Sequence, residues 1–225
     1  MEKKLILKAN VLKASVKLFE SNGYINTTTR MIAEEAGVGR GHLSYYFPKK
    51  EDIARELTGI FFKKIETFIY DKIEAVCEEP YAYFGLLLKC FEYFADTGDY
   101  FKMMIIDGNK MQSVYDYCCE NYIQIIEKRL IERAVVYDKK SLIRSVEIAV
   151  LVFDHLIIKK INSELDSDEE VFASALRHCL VELNKADTFV EEIVKRVLIN
   201  FNQLDLVAFN QYINEYNYEE IYLSE

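Results

Sequence analysis

The residue types best suited to recognising another molecule lie between residues 27 and 47, in the sequence TTTRMIAEEAGVGRGHLSYYF. Apolar spacing predicts two short helices here, over residues 29–35 and 40–46, with a break at Gly37. Guanidinium, hydroxyl and imidazole groups on one helical face can pair with DNA bases and phosphates. On the second helix the predicted exposed residues are Gly39, Arg40, Gly41, Ser44 and Tyr45, with His42 and Tyr46 nearer the edges.

The residues behind this face are suited to hold the second helix in place. Small side chains would let the two helices approach closely, and larger apolar ones would fill the core between them. The small residues are Ala33, Ala36 and Gly37, and the larger ones are Ile32, Val38, Leu43 and Phe47. This pattern predicts a helix-turn-helix, whose second helix is fixed firmly while its outer face stays free for a DNA groove.

The charge is divided unevenly along the chain. Residues 1–55 hold ten Lys and Arg against six Asp and Glu, whereas the remaining 170 hold 18 against 31. A helix predicted over residues 3–22 and ended by Gly23 turns most of its lysines outward. A basic end on an acidic body favours a protein that meets a polyanion with one end only.

The rest of the chain is predicted to be helical, so the fold class is all-α with an N-terminal domain over 1–50 and a larger domain over 51–225. The chain has only eight Gly and two Pro, and no sustained period-two alternation suggests a sheet. A long helix is expected from Glu51 nearly to Glu79, ended by Pro80. Further helices are expected over 81–96, after Gly98, and over 109–136, 139–164, 168–185 and 187–212.

Other classes of protein find little support in the sequence. The longest nearly apolar run, residues 148–158, is broken by Asp154 and His155 and is shorter than the ~20 residues that cross a bilayer, so a cytoplasmic protein is expected. Five cysteines without a C-x-x-C pair and three scattered histidines favour reduced, buried thiols, with no metal and no cofactor. Redox sensing by these cysteines is the alternative.

From Val11 through Leu57 the sequence resembles the DNA-binding domain of the TetR (tetracycline repressor) family. VLKASVKLFESNGY is similar to the family's first helix and TTTRMIAEEAGV to its second. GRGHLSYYFPKKEDI is similar to the recognition helix and the start of the linker helix. The resemblance implies a transcriptional regulator, more often a repressor than an activator, that binds a double-stranded, pseudopalindromic operator as a homodimer.

The resemblance also implies a role for individual residues. Thr29 would contact phosphate, Arg30 would reach a base or phosphate, and Arg40 would read guanine through its two-pronged guanidinium. His42, Tyr45 and Tyr46 would contact phosphates or apolar base edges beside Gly41 and Ser44, and Lys50 would bind phosphate. Ser44 stands where many members carry an aromatic residue, which leaves the base contacts there open. The alternatives are a solvated surface role for Arg40 and plain packing for Tyr46 and Phe47.

In the larger domain the resemblance implies a ligand cavity beside the fourth helix and a dimer interface. The effector would be a small molecule of unknown identity, and the interface would use helices near 144–161 and 189–204. The alternative for the cavity residues is that they are simply core. The candidate cavity residues are Phe68, Phe91, Phe94, Met104, Tyr115, Tyr122 and Phe153.

The rival functions are a helical enzyme and a helical interaction module without DNA binding. The sequence contains no Ser/His/Asp order, paired metal ligands or phosphate-binding Gly loop, so an enzyme is not expected. An interaction module would not explain the basic N-terminal segment and its glycine-bearing short helix.

Overall fold

The computed structural model describes residues 2–73, 79–97, 102, 106–107, 111–165 and 170–215. The regular structure of these residues is helical without a strand, which confirms the all-α prediction. The helices are α1 Glu2–Asn22, α2 Thr29–Glu35, α3 Arg40–Tyr46, α4 Lys50–Lys72, α5 Pro80–Thr97, α6 Gln112–Glu132, α7 Lys139–Ile161, α8 Val171–Glu182, α9 Asp187–Phe201 and α10 Leu206–Asn214.

The bounds of α1, α2 and α3 follow from local signals. Gly23 and Gly37 both adopt positive φ, the left-handed conformation that glycine tolerates at the end of a helix. The side chain of Thr28 accepts a hydrogen bond from the backbone N–H of Met31 and so caps the start of α2. The predictions for these three helices are confirmed to within one residue at each end.

The prediction for α4 is wrong at its C-terminal end. The helix ends at Lys72 rather than near Glu79, because Ile73 leaves helical geometry and turns into the core with 4% of its surface exposed. Pro80 does not end α4; it is the first residue of α5. Proline is tolerated there because the first helical N–H has no partner within its helix in any case.

Helix α5 is the centre of the larger domain. Every residue from Tyr81 to Leu88 is buried, and α5 packs against α4, α6, α7, α8 and α9. Gly85 allows a close approach of α5 to two helices: a Cβ built on it would lie 2.6 Å from Leu176 of α8 and 2.7 Å from Val197 of α9. A larger residue at this position would therefore push α5 away from both helices.

Glu92 of α5 fixes the relative positions of three helices. Its carboxylate is 1% exposed and lies 2.7 Å from Lys160 Nζ, near the end of α7. It also accepts hydrogen bonds from the backbone N–H groups of Val171 and Phe172, which would otherwise lack partners at the start of α8. Glu92 thus caps α8 from a distant part of the chain.

The single helix predicted over 187–212 is in fact two helices, α9 and α10. Asp205 starts α10, because its Oδ1 accepts hydrogen bonds from the backbone N–H groups of Val207 and Ala208. The break lets Phe209, which is fully buried, reach α4 and α5. Lys64 of α4 in turn donates hydrogen bonds to the carbonyls of Tyr212 and Ile213 near the end of α10.

Helices α6, α7 and α8 each end three or four residues before the predicted position. The chain leaves them through left-handed residues that are not glycine, with φ values of 52° at Ala134, 59° at Ser163 and 55° at Asn184. These residues gave no stop signal in the sequence, since that signal is usually glycine. The prediction of a short helix after Gly98 falls largely outside the described residues.

Candidate nucleic-acid interface

Helix α3 presents one face to solvent and buries the other. Leu43 and Phe47 are 1% and 2% exposed and anchor the helix in the core, where α3 packs against α2. Tyr46 is half-buried and lies edge-on to Tyr45, which is 77% exposed. The outer face carries the other predicted contact residues, all of them exposed: Arg40, Gly41, His42 and Ser44.

The start of α2 carries two of the predicted contact residues, Thr29 and Arg30. The helix is capped by Thr28, while Thr29 is its first residue and is half-buried. Arg30 is exposed, and its Nε donates a 2.8 Å hydrogen bond to Glu34, which lowers the pKa of that carboxyl. Exposed pairs of this kind contribute little free energy, so Arg30 can exchange Glu34 for a phosphate at small cost.

Lys50 occupies a position other than the one expected. Its Nζ donates hydrogen bonds to the carbonyls of Tyr24 at 2.5 Å and Thr27 at 2.7 Å, and lies 4.0 Å from the centre of the Tyr24 ring. Burial lowers the pKa of Lys50. The ammonium therefore ties the start of α4 to the turn between α1 and α2, and is directed at main-chain carbonyls. The sequence gave no sign of this because the contact joins residues more than twenty positions apart.

The lysines of α1 divide into exposed and engaged groups. Lys4 and Lys13 are exposed, and Lys4 lies 5.6 Å from the centre of the Tyr46 ring on α3. Lys8 instead pairs with Glu56 of α4 at 3.4 Å. Positive charge therefore reaches the edge of the α3 surface, which suits a polyanionic partner.

The predicted cavity residues of the larger domain are brought together in part. Phe91 lies 6.1 Å from Tyr122, measured between ring centres, and both rings pack on Phe62. Phe68 and Phe94 both pack on Phe209 of α10, at 4.5 and 4.9 Å.

The remaining predicted cavity residues lie around α6 and α7. Tyr115 donates a hydrogen bond to the carbonyl of Glu147, and Phe153 is buried with 4% exposed. Met104 lies outside the described residues. The observed rings pack against one another, which agrees with the alternative that these residues are part of the core.

Asp154 is an ionisable group within this aromatic region that the sequence did not single out as a site. Burial raises the pKa of Asp154 to about 7. Its charge contributes to raising the pKa of Tyr122 and of the Cys118 thiol, so the carboxyl lies close to both. Asp154 is half-buried, and desolvating an acid is costly, so such groups occur more often at functional sites than elsewhere.

The helices expected at a dimer interface expose apolar side chains. Leu151 of α7 is 57% exposed and Ile199 of α9 is 50% exposed, and Val181 on the intervening α8 is 56% exposed. Arg144 and Glu182 lie 3.4 Å apart and join α7 to α8.

The described part of the chain holds four cysteines. Cys90, Cys118, Cys119 and Cys179 are unpaired there, and burial raises the pKa of Cys179 to about 12. No described helix is long and apolar enough to cross a membrane. No cluster of three His, Cys, Asp or Glu side chains with metal-binding geometry occurs among the same residues.

Known proteins match both the sequence of the N-terminal region and the fold. Residues 11–57 match the sequence profile of bacterial regulatory proteins of the tetR family. The regulator LmrA of Bacillus subtilis (strain 168) is 37% identical over 71 residues, which cover 31% of this chain and 37% of LmrA. The fatty acid metabolism regulator protein of the same organism is 35% identical over 69 residues, covering 29% and 36%. This chain thus spans about a third of the length of these curated relatives.

Two solved structures share the overall architecture. A TetR transcriptional regulator from Rhodococcus sp. RHA1 aligns with a TM-score of 0.53 at 17% identity, over 83% of this chain and 100% of that one. RolR in complex with resorcinol aligns with a TM-score of 0.56 at 16% identity, over 85% and 94%. At these identities the likeness establishes the fold.

The fold and the exposed face of α3 define an all-helical protein with an N-terminal helix-turn-helix and a larger helical domain. Residues 11–57 match the tetR family of bacterial regulatory proteins, and the curated relatives that match this region are regulators. The two solved structures share the overall fold of the chain.

Proposed function

We propose that the protein represses transcription by inserting α3 into the major groove of a double-stranded operator. The supporting observation is the two-sided character of α3, which buries Leu43 and Phe47 while Arg40 stands in solvent. A helix held this way keeps its orientation when its outer face meets the bases. Arg40 pairs with guanine, and Thr29, Arg30, His42, Tyr45 and Tyr46 contact phosphates or base edges beside Gly41 and Ser44.

Lys50 has a different part in this proposal from the one first expected. Its ammonium holds the turn between α1 and α2 against the start of α4. A movement of α4 therefore carries the helix-turn-helix with it. Lys50 acts as a positioning residue that links the larger domain to DNA binding.

The proposed active form is a homodimer that joins α7 and α9 of each copy to those of its partner. The exposed Leu151 and Ile199 would be covered in such an interface. Two copies of α3 would then lie roughly 34–36 Å apart and meet successive major grooves of a pseudopalindromic operator.

A small-molecule effector would release the protein from DNA by favouring a second arrangement of α4. The proposed site lies among Phe91, Tyr115 and Tyr122, next to the desolvated carboxyl of Asp154. A fold of this type holds resorcinol in RolR, which supports a small effector here as well. Phe68, Phe94 and Phe153 complete the aromatic surroundings.

The proposal is tested by binding to the DNA that flanks the protein's own gene, measured by fluorescence anisotropy. Replacing Arg40 with Ala is expected to weaken specific binding by about 1–3 kcal/mol, or roughly 5- to 150-fold. The thermal midpoint should stay unchanged because Arg40 is exposed. The logarithm of affinity for the wild type should fall steeply with the logarithm of salt concentration.

Arg133→Ala is the matched control, since Arg133 is also exposed but lies at the end of α6. It should bind the DNA as the wild type does. Wild-type affinity in Arg40→Ala would remove the assigned reading role, and equal losses in both variants would point to a nonspecific charge effect. The absence of specific binding to any segment of the flanking DNA would contradict operator recognition there.

A further inference from the structure

A groove on the outside of the larger domain runs between α4 and α6. Its volume is about 620 Å³, which is the size of a small-molecule site. It lies apart from the Phe91 and Tyr122 rings and from the surface of α3. Tyr70 of α4 is 68% exposed and offers its ring at the rim, while Ile125 of α6 supplies an apolar patch.

Arg129 is the residue that gives this groove its chemistry. Its guanidinium stacks on Tyr83, with the central carbon 3.4 Å from the ring centre, and Nη1 donates to the carbonyl of Ile125. Nε is buried and has no hydrogen-bond partner. A buried N–H without an acceptor destabilises the protein, so a ligand that supplies an acceptor recovers that free energy.

The remaining geometry indicates what kind of acceptor fits. The Nε side of a guanidinium offers two parallel N–H groups that match the two oxygens of a carboxylate. Stacking on Tyr83 holds the Arg129 plane fixed, so little side-chain entropy is lost on binding. Because the opposite side of the guanidinium already bonds to Ile125, a ligand must approach from the Nε side.

The other charges of the groove are compatible with an incoming anion. Lys63 and Lys128 lie in its lining with Arg129, and they balance the acids Glu66, Asp71 and Glu132. Tyr83 donates a hydrogen bond to one of these acids, Glu66, whose pKa is raised by burial. The nearby charges of Arg129 and Lys128 also act on the Glu66 carboxyl, which offsets its repulsion of an incoming carboxylate.

We infer that this groove binds a small aromatic carboxylate, with the carboxylate on the Nε side of Arg129 and the ring against Tyr70. Binding at this groove does not depend on DNA binding by α3, so the site is testable in the free protein. It is also a second site, separate from the effector site proposed among the buried rings.

Benzoate is a suitable probe, and the side-chain Nε–H signal of Arg129 in ¹⁵N-labelled wild-type protein is the readout. The signal can be assigned through its own side-chain carbons. Benzoate is expected to shift it with a Kd on the order of 1 mM. Arg129→Lys keeps the positive charge but removes the paired N–H groups, so the affinity measured by calorimetry should fall by about tenfold or more.

The matched control is Arg133→Lys, the same substitution one helical turn further along at a residue that does not line the groove. Its affinity for benzoate should equal that of the wild type. An Arg129 signal that stays in place up to ~20 mM benzoate would overturn the inference. Undiminished binding in Arg129→Lys would also overturn it, since the carboxylate would then lie elsewhere. The wild-type signal decides the question even if that variant fails to fold.

Discussion

Replacing Glu92 with Gln should destabilise the larger domain more than any conservative change on its surface. The change keeps the shape of the side chain but removes the charge opposite Lys160, whose side chain is only 13% exposed. It also removes one of the acceptors used by the backbone N–H groups of Val171 and Phe172.

The size of the effect follows from the burial of the pair. Removing one partner of a buried ion pair costs about 3–5 kcal/mol, because the other charge stays buried. Lys160 keeps its second partner, Asp96, at 3.5 Å, and the amide of Gln can still accept one hydrogen bond. The loss should therefore fall at the low end of the ~3–5 kcal/mol range. We expect a loss of about 3 kcal/mol, or roughly 6–12 °C in the thermal midpoint for a chain of this length.

Urea unfolding followed by circular dichroism measures this loss. Protein concentration must be held fixed, because association would itself add to the stability. Glu191→Gln is the matched control, because Glu191 accepts hydrogen bonds of 2.8 and 3.1 Å from Arg177 but is exposed to solvent. It should leave the unfolding midpoint nearly unchanged.

A double variant separates the two contributions of Glu92. Adding Lys160→Met to Glu92→Gln also removes the Lys160 charge, which the first change leaves buried without Glu92. The double variant should therefore regain at least about 1 kcal/mol of unfolding free energy. If the unfolding free energy of Glu92→Gln lies within about 0.5 kcal/mol of the wild-type value, Glu92 does not stabilise the packing of these helices as described. Equal losses in the Glu92 and Glu191 variants would refute this role of Glu92 too.

Two further predictions concern packing and pH. Gly85→Ala should lower the free energy of unfolding by about 1–2 kcal/mol in urea, since the clash with α8 and α9 exceeds the gain in helix propensity. The added methyl group of Gly41→Ala meets open space, so this variant should raise the free energy of unfolding by up to about 1 kcal/mol. A destabilised Gly41→Ala would contradict this assignment. Because the folded pKa of Asp154 is raised to about 7, its burial costs nothing near pH 4, and the cost grows until about pH 7. The unfolding free energy of Asp154→Asn should therefore equal that of the wild type near pH 4 and exceed it by up to about 4 kcal/mol at pH 8. A difference between the two proteins that does not vary with pH would refute the raised pKa of Asp154.

The N-terminal helices could be read from the sequence because their signals are local. Gly23 and Gly37 stop α1 and α2 by adopting positive φ, and Thr28 caps α2 through a hydrogen bond three residues away. The alternation of buried Leu43 and Phe47 with exposed Arg40 also follows from helical periodicity alone. The exposed face of α3 was accordingly predicted correctly.

Other features depend on contacts between distant parts of the chain. Lys50 reaches the carbonyls of Tyr24 and Thr27, and Glu92 reaches the start of α8, about eighty positions away. Neither residue differs locally from an ordinary surface lysine or glutamate on a helix. Their roles arise only when packing removes them from water and brings unpaired groups within reach.

The ends of the helices in the larger domain likewise depend on both local signals and tertiary contacts. Pro80 was taken as a stop signal, but proline suits the first position of a helix equally well, and tertiary packing decides which applies. Helical periodicity continues through Asp205, yet the chain breaks there because Phe209 gains burial against α4 and α5. Sequence by itself determined which segments are helical and which face of α3 is polar. The tertiary structure decided where the long helices stop and which charges are buried, since both depend on burial that no local pattern encodes.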